Sequence, residues 1–181
     1  IGKLVAERLG IKLYDKNIIE KMSEETGLSE EYIKYNEQKR TVFDNFNNGY
    51  YAGLNNSDEL FIQESNLIKD LADKESCVIV GRCADFILKD KKNVLKIFVS
   101  SSMENKVKRA TEFYHIDKKN AEKEITRINK LRANHYEYYT ERSWETSSNY
   151  DICVNSDSIG IDNVVDLICS IVEKSKEFAV K

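Results

Sequence analysis

Apolar positions along the chain recur with two different periods. Leu4, Val5, Leu9 and Ile11 fall at helical spacing around Gly10, which predicts a helix ended by that glycine and a short strand at Lys12-Leu13-Tyr14. From 15 to about 75 the pattern is helical without a clear strand: Ile18, Ile19 and Met22, then 29–39, then Leu60, Phe61, Leu67, Ile68 and Leu71. Within 46–58, Asn47, Asn48, Gly49, Gly53, Asn55 and Asn56 give a loop composition with aromatic inserts. These residues predict an inserted helical lobe with a mobile tip.

Three short β-branched runs read as strands: Cys77-Val78-Ile79-Val80, Val94 through Val99, and Asp151-Ile152-Cys153-Val154. Helix patterns separate them, and such alternation predicts a parallel sheet. Ser101 with Glu104 three residues on suggests a capping box for a helix through Phe113. Ile161, Val164, Val165, Ile168, Ile171 and Val172 give the last helix an apolar face. The expected architecture is α/β with one helical insertion.

Composition narrows the function classes. A chain of 181 residues fits one domain and buries roughly 70% of its unfolded surface. Its 28 basic and 31 acidic residues give 28 − 31 = −3, so no net basic field steers it onto nucleic acid. No stretch reaches the roughly 18 apolar residues of a membrane span. Cys77, Cys83, Cys153 and Cys169 form no C-x-x-C pair and only His115 and His135 accompany them, poor material for a zinc site. Cys77, Cys153 and Cys169 lie in apolar runs, which suits buried thiols in a reducing compartment and leads us to expect a cytoplasmic protein. Because the chain opens on Ile1 in a helix pattern, a further segment is expected upstream.

Arg82 follows Gly81 directly after the most apolar strand and precedes a helix-like run, Cys83 to Leu88. In open α/β folds the carboxyl edge of the sheet collects ligands, and a guanidinium beside a helix N-terminus favours phosphate or carboxylate. A pairing of Arg82 with a surface acid is the other reading. Asp15, just after the first strand, could orient a substrate hydroxyl or base, or could cap the next helix. Arg109, Arg127, Arg132 and Arg142 are either a phosphate-binding collection or a solvated helical face. Tyr136, Tyr138, Tyr139 and Trp144 could stack on a base or pack the fold. Gly2-Lys3 is not the end of a Walker A motif, since Leu4 follows where Ser or Thr would stand.

Five segments in order carry a resemblance: ERLGIKLYDKNII (7–19), CVIVGRCADFIL (77–88), IFVSSSMENKVKRA (97–110), RANHYEYYTERSW (132–144) and YDICVNSDSIGIDNVVDLI (150–168). Together they resemble the cytidylate kinase-like family of P-loop kinases, and the resemblance runs from end to end. It implies a single P-loop kinase-like domain over 1–181: a three-layer fold with a parallel sheet flanked by helices, a helical monophosphate-binding lobe at about 15–75 and an arginine-bearing lid at about 115–148. It also implies that a first strand and a phosphate-binding loop precede Ile1. By resemblance, Asp15 begins the monophosphate lobe, Arg82 grips the acceptor phosphate, and Arg40 is a further monophosphate contact. Arg109, Arg127 and Arg132 then fall near the arginines around the transferred phosphoryl group. Ile128 stands after Arg127 where the standard cytidylate kinases have an aspartate.

The activity implied is ATP-dependent phosphoryl transfer, with Mg2+, to CMP, dCMP or a related small acceptor. That chemistry needs positioning and cations more than a general base. The partners implied are nucleotides or a small phosphate-accepting substrate, with neither nucleic acid nor membrane, and a homo-oligomer is left open. A nucleotide-binding regulatory protein with little turnover, and a kinase for another hydroxylated acceptor, are the alternatives, because function belongs to the site rather than the fold.

Overall fold

A computed structural model of the chain describes residues 1–33, 56–175 and 178. Arg40 and most of the 46–58 tip lie outside the described residues. The fold is mixed α/β, with small parallel sheets flanked by helices. It divides into two compact units, one within Gly2–Lys91 and one within Lys92–Ala179.

The first unit opens with α1 (Gly2–Leu9), which ends at Gly10 in the left-handed conformation (φ +66°), as the sequence predicts. Strand β1 (Lys12–Tyr14) follows, then α2 (Asn17–Thr26), α3 (Asn56–Lys74), β2 (Cys77–Ile79) and the one-turn α4 (Ala84–Ile87). β1 and β2 pair in parallel, with Tyr14 opposite Ile79. α1 packs on both strands, α2 packs on α3, and α3 packs on α4. Val5 and Ala6 of α1, Ile18 and Met22 of α2, and Leu67, Ile68 and Leu71 of α3 are buried. Burial of each large aliphatic among them contributes about 1.5–3 kcal/mol.

Strand β2 is one residue shorter than its apolar run. The Val80 N–H still donates to the Tyr14 carbonyl at 2.8 Å, but Gly81 turns the chain left-handed immediately after it. The helix expected over 83–88 is likewise trimmed to Ala84–Ile87, because Cys83 is itself left-handed.

The second unit comprises β3 (Ile97–Ser100), α5 (Met103–Tyr114), α6 (Lys118–Thr140), a 3-10 turn (Ser147–Asn149), β4 (Ile152–Asn155), α7 (Ser156–Ile159) and α8 (Ile161–Lys174). β3 and β4 pair in parallel, Ile97 opposite Ile152. α5 and α6 pack together as a helical pair. α8 buries Val164, Val165, Ile168 and Cys169, the face its sequence period predicts.

Two expectations need correction here. Val94, Leu95 and Lys96 lie outside the strand: the Lys96 N–H is taken by the Asp151 carboxylate at 2.8 Å, so a side chain stands where a ladder partner would be. The cap of α5 is Ser102, not Ser101. The Ser102 Oγ accepts the Asn105 N–H at 3.2 Å, while the Ser101 hydroxyl donates to Asp157.

Candidate functional site at the carboxyl edge of the first sheet

Parallel pairing brings the ends of β1 and β2 side by side, so Asp15 and the Gly81-Arg82 turn leave the same edge. The amino end of α1 reaches this edge as well. A Cβ on Gly2 would lie 3.2 Å from Cγ2 of Val80, so the glycine allows the helix start to approach the strand end closely. Three groups suited to an anionic ligand thus share one edge: a guanidinium, a helix N-terminus and the backbone of a tight turn.

The turn has an unusual backbone. Gly81, Arg82 and Cys83 have φ of +74°, +60° and +52°, three successive left-handed residues of which only the first is glycine. L residues with side chains reach this region at a cost of about 1–2 kcal/mol each. The surrounding structure holds them there. The Ala84 N–H donates to the Gly81 carbonyl at 3.1 Å, and the Cys83 carbonyl accepts from Phe86 and Ile87, each at 2.9 Å. The Cys83 side chain is buried, and burial first, then Asp85 and Glu64, push its thiol up to about 12 against the opposing effect of Arg82.

Arg82 does pair with an acid, but not at the surface. Its Nη1 donates to Oε1 of Glu64 on α3 at 2.9 Å, and the two side chains are 18% and 3% exposed. Glu64 is a residue that sequence reasoning missed. The signal was present: Glu64 occupies the apolar stripe of α3, in helical register with Leu60, Leu67, Ile68 and Leu71, all buried. A carboxylate at such a position needs a cation.

Asp15 does not cap α2. The residue before α2 is Lys16, without a side-chain cap bond, and the Asp15 N–H instead donates to Asn17 Oδ1 at 2.8 Å. Among the described residues the exposed Asp15 carboxylate has no hydrogen-bond or ion-pair partner.

The remaining candidate arginines belong to the second unit. Arg127 makes two hydrogen bonds to Glu124 one turn earlier on α6, Nε to Oε2 at 2.9 Å and Nη2 to Oε1 at 2.7 Å, in an exposed pair. Arg132 is exposed and, among the described residues, has no such partner. Five residues apart on one helix, the two point about 140° from each other and share no face. Arg109 on α5 lies over the Phe113 ring, 4.9 Å from its centroid. Trp144 packs edge-on against Phe98 of β3 at 5.8 Å, and the Tyr150 hydroxyl donates to the Trp144 carbonyl at 2.7 Å, so this aromatic serves packing. Tyr136 is buried, whereas Tyr138 is half exposed and stacks edge-on with Tyr139.

The carboxyl edge of β3–β4 is polar too, but its groups satisfy one another. Asp157 accepts from the Ser101 hydroxyl at 2.6 Å and the Ser102 N–H at 2.5 Å, and the Ser156 hydroxyl donates to the Ser100 carbonyl at 3.0 Å. The Ser101 hydrogen bond, with those of Ser102, holds the Asp157 carboxyl well below the usual carboxylate range.

The family model described as the cytidylate kinase-like family matches residues 1–158. The chain belongs to the cytidylate kinase-like family. It is also similar to the crystal structure of an uncharacterized protein from Eubacterium ventriosum, at 27% identity and a TM-score of 0.73, over 96% of this chain and 90% of that one. No curated protein matches it at a significant level. Membership carries a kinase-like, nucleotide-directed character. No helix among the described residues is long and apolar enough to cross a membrane.

Proposed function

We propose that this member of the cytidylate kinase-like family transfers the γ-phosphoryl group of ATP to a nucleoside monophosphate, CMP or dCMP first among the candidates. Arg82 is the residue that grips the acceptor phosphate. The observation that carries this reading is the half-buried, left-handed seat of Arg82 at a sheet edge shared with the amino end of α1 and with the Asp15 carboxylate, which has no partner among the described residues. Arg82 presents a planar donor group that matches phosphate geometry better than an ammonium does. Asp15 can only accept hydrogen bonds when ionised, which suits a sugar hydroxyl or a base amino group of the acceptor.

Within this reading, residues 15–75 form the acceptor lobe and 115–148 the lid, and Arg40 adds a monophosphate contact. Arg109, Arg127 and Arg132 are the candidates to neutralise the charge that develops on the moving phosphoryl group, and because Arg127 and Arg132 share no face of α6, one of the two reaches it at a time. Arg127 must first leave Glu124. Exposed pairs of this kind are weak and screened by salt, so a phosphoryl group competes well for the guanidinium. Magnesium, when bound, neutralises the donor phosphates. It would take most of its ligands from phosphate and water. Water exclusion by a closing lid limits ATP hydrolysis.

A coupled assay of the full-length protein with ATP and Mg2+ against a panel of monophosphates and small hydroxylated acceptors tests the reading. Turnover greatest with CMP or dCMP is the expected result. Turnover only with a non-nucleotide acceptor would move the activity to another substrate class. Binding of nucleotides without any turnover would make the protein a regulatory nucleotide binder.

A further inference from the structure

We infer that Glu64 is the positioning residue of the phosphate site: its carboxylate, set in the apolar stripe of α3, fixes the Arg82 guanidinium in the orientation that receives the acceptor phosphate. The inference rests on the reading of Arg82 given above and assigns a role to a residue outside it.

Arg82 stands on a left-handed backbone between two other left-handed residues, so its side chain leaves the turn in a direction that an ordinary strand or helix residue would not have. A four-bond side chain starting there still has many rotamers. The bond from Nη1 to Glu64 Oε1, at 2.9 Å and with Glu64 only 3% exposed, removes that freedom at one end of the guanidinium. An ion pair with one partner buried and the other half-buried contributes little net stability, because desolvation offsets much of the attraction. Its more distinctive effect is geometric. Glu64 is held in turn by its helix, whose Leu60, Leu67, Ile68 and Leu71 are buried beside it in sequence register. The orientation of Arg82 therefore depends on the seat of α3, a helix of the proposed acceptor lobe.

Two opposite effects of Glu64 give opposite signs. A carboxylate that only competes with phosphate for Arg82 would weaken binding, and neutralising it would tighten the complex. A carboxylate that preorganises Arg82 strengthens binding, and removing it weakens the complex.

Calorimetric titration of CMP and cytidine into full-length wild type, Glu64→Gln, Glu64→Ala and Arg82→Ala reads the sign directly. The ratio of CMP to cytidine affinity isolates the phosphate contribution. Glu64→Ala is expected to lower that ratio by about tenfold, within the range of couplings between contacting residues. Glu64→Gln, which keeps an acceptor oxygen at the same reach, should lose less. In the Arg82→Ala background Glu64→Ala should have no further effect on the ratio. An unchanged ratio, a raised ratio, or equal losses for CMP and cytidine in both Glu64 variants would overturn the role of Glu64. A ratio unaffected by Arg82→Ala would overturn the Arg82 reading itself, and the role of Glu64 with it.

If the Glu64 variants fail to fold, the wild type still decides the matter. The guanidinium resonances of Arg82, assigned by their loss in Arg82→Lys, should show slow rotation about Nε–Cζ before any nucleotide is added. Fast averaging in the free protein would overturn the inference.

Discussion

The hydroxyl of Tyr14, at the end of β1, donates to Oε1 of Glu75 at 2.5 Å, and Lys12, two residues earlier on the same strand face, reaches the same carboxylate at 2.8–2.9 Å. Glu75 lies between α3 and β2, so this cluster ties together the two points where the 15–75 segment leaves and rejoins the sheet. Burial first, and then the hydrogen bond to Glu75, push the Tyr14 phenol up to about 12 from an ordinary value of 10. A raised phenol pKa means that the folded state favours the neutral form. Its contribution is therefore complete below pH 10 and is lost as pH rises through about 12. Glu75 has the opposite sense: its hydrogen bonds to Lys12 and Tyr14 lower its pKa, so its contribution is present above pH 4.5 and is lost as pH falls through the depressed value. Tyr14→Phe should cost about 0.5–1.5 kcal/mol at neutral pH. The difference from wild type should shrink above pH 10 in denaturant melts, and a constant difference up to pH 12 would contradict the assignment.

Gly81→Ala isolates the backbone cost of the turn. A Cβ there would meet nothing within 4 Å, so only the positive φ opposes the substitution. The expected loss is about 1–2 kcal/mol, or roughly 2–8 °C in Tm for a chain of this size. Thermal unfolding followed by circular dichroism measures it, and an unchanged Tm would show that the turn is not held left-handed in solution.

Thiol reactivity should separate Cys83 from Cys153, which lies in an apolar run that suits a buried thiol and yet is exposed in the structure. Cys83 is buried, with its thiol pushed up to about 12, whereas Cys153 is exposed. Iodoacetamide at pH 8 should label Cys153 quickly and Cys83 only after unfolding, because the thiolate is the reacting species. Mass spectrometry of the labelled peptides checks this. Rapid native labelling of Cys83 would mean that the turn opens readily.

Much of the fold was legible because its signals are local. Gly10 ends α1, the β-branched runs mark the strands, and the period of α8 names its buried face. Local signals also misled where a side chain took a backbone partner: Asp151 shortens β3 at Lys96, and Asp157 draws Ser101 away from the cap. The site was legible in part. Arg82 and Asp15 could be assigned to strand ends, and parallel pairing sets those ends side by side. Glu64 lies 18 residues from Arg82 and its meaning came only from packing, although its intrusion into the apolar stripe of α3 was visible beforehand. The partners of Arg127 and Arg109 are near neighbours on their own helices, which spacing could not distinguish from a ligand-binding use.

The account stands or falls on Arg82 and a phosphate, and calorimetric titration of wild type and Arg82→Ala with CMP and cytidine tests that most directly. Loss of a charge-assisted contact in a largely desolvated site is worth about 1.5–3 kcal/mol, or about a 10- to 150-fold fall in CMP affinity. Cytidine affinity should not change, and Arg82→Lys should restore only part of the loss, since an ammonium keeps the charge without the fork. Unchanged affinity of Arg82→Ala for a monophosphate that the wild type binds would contradict the account.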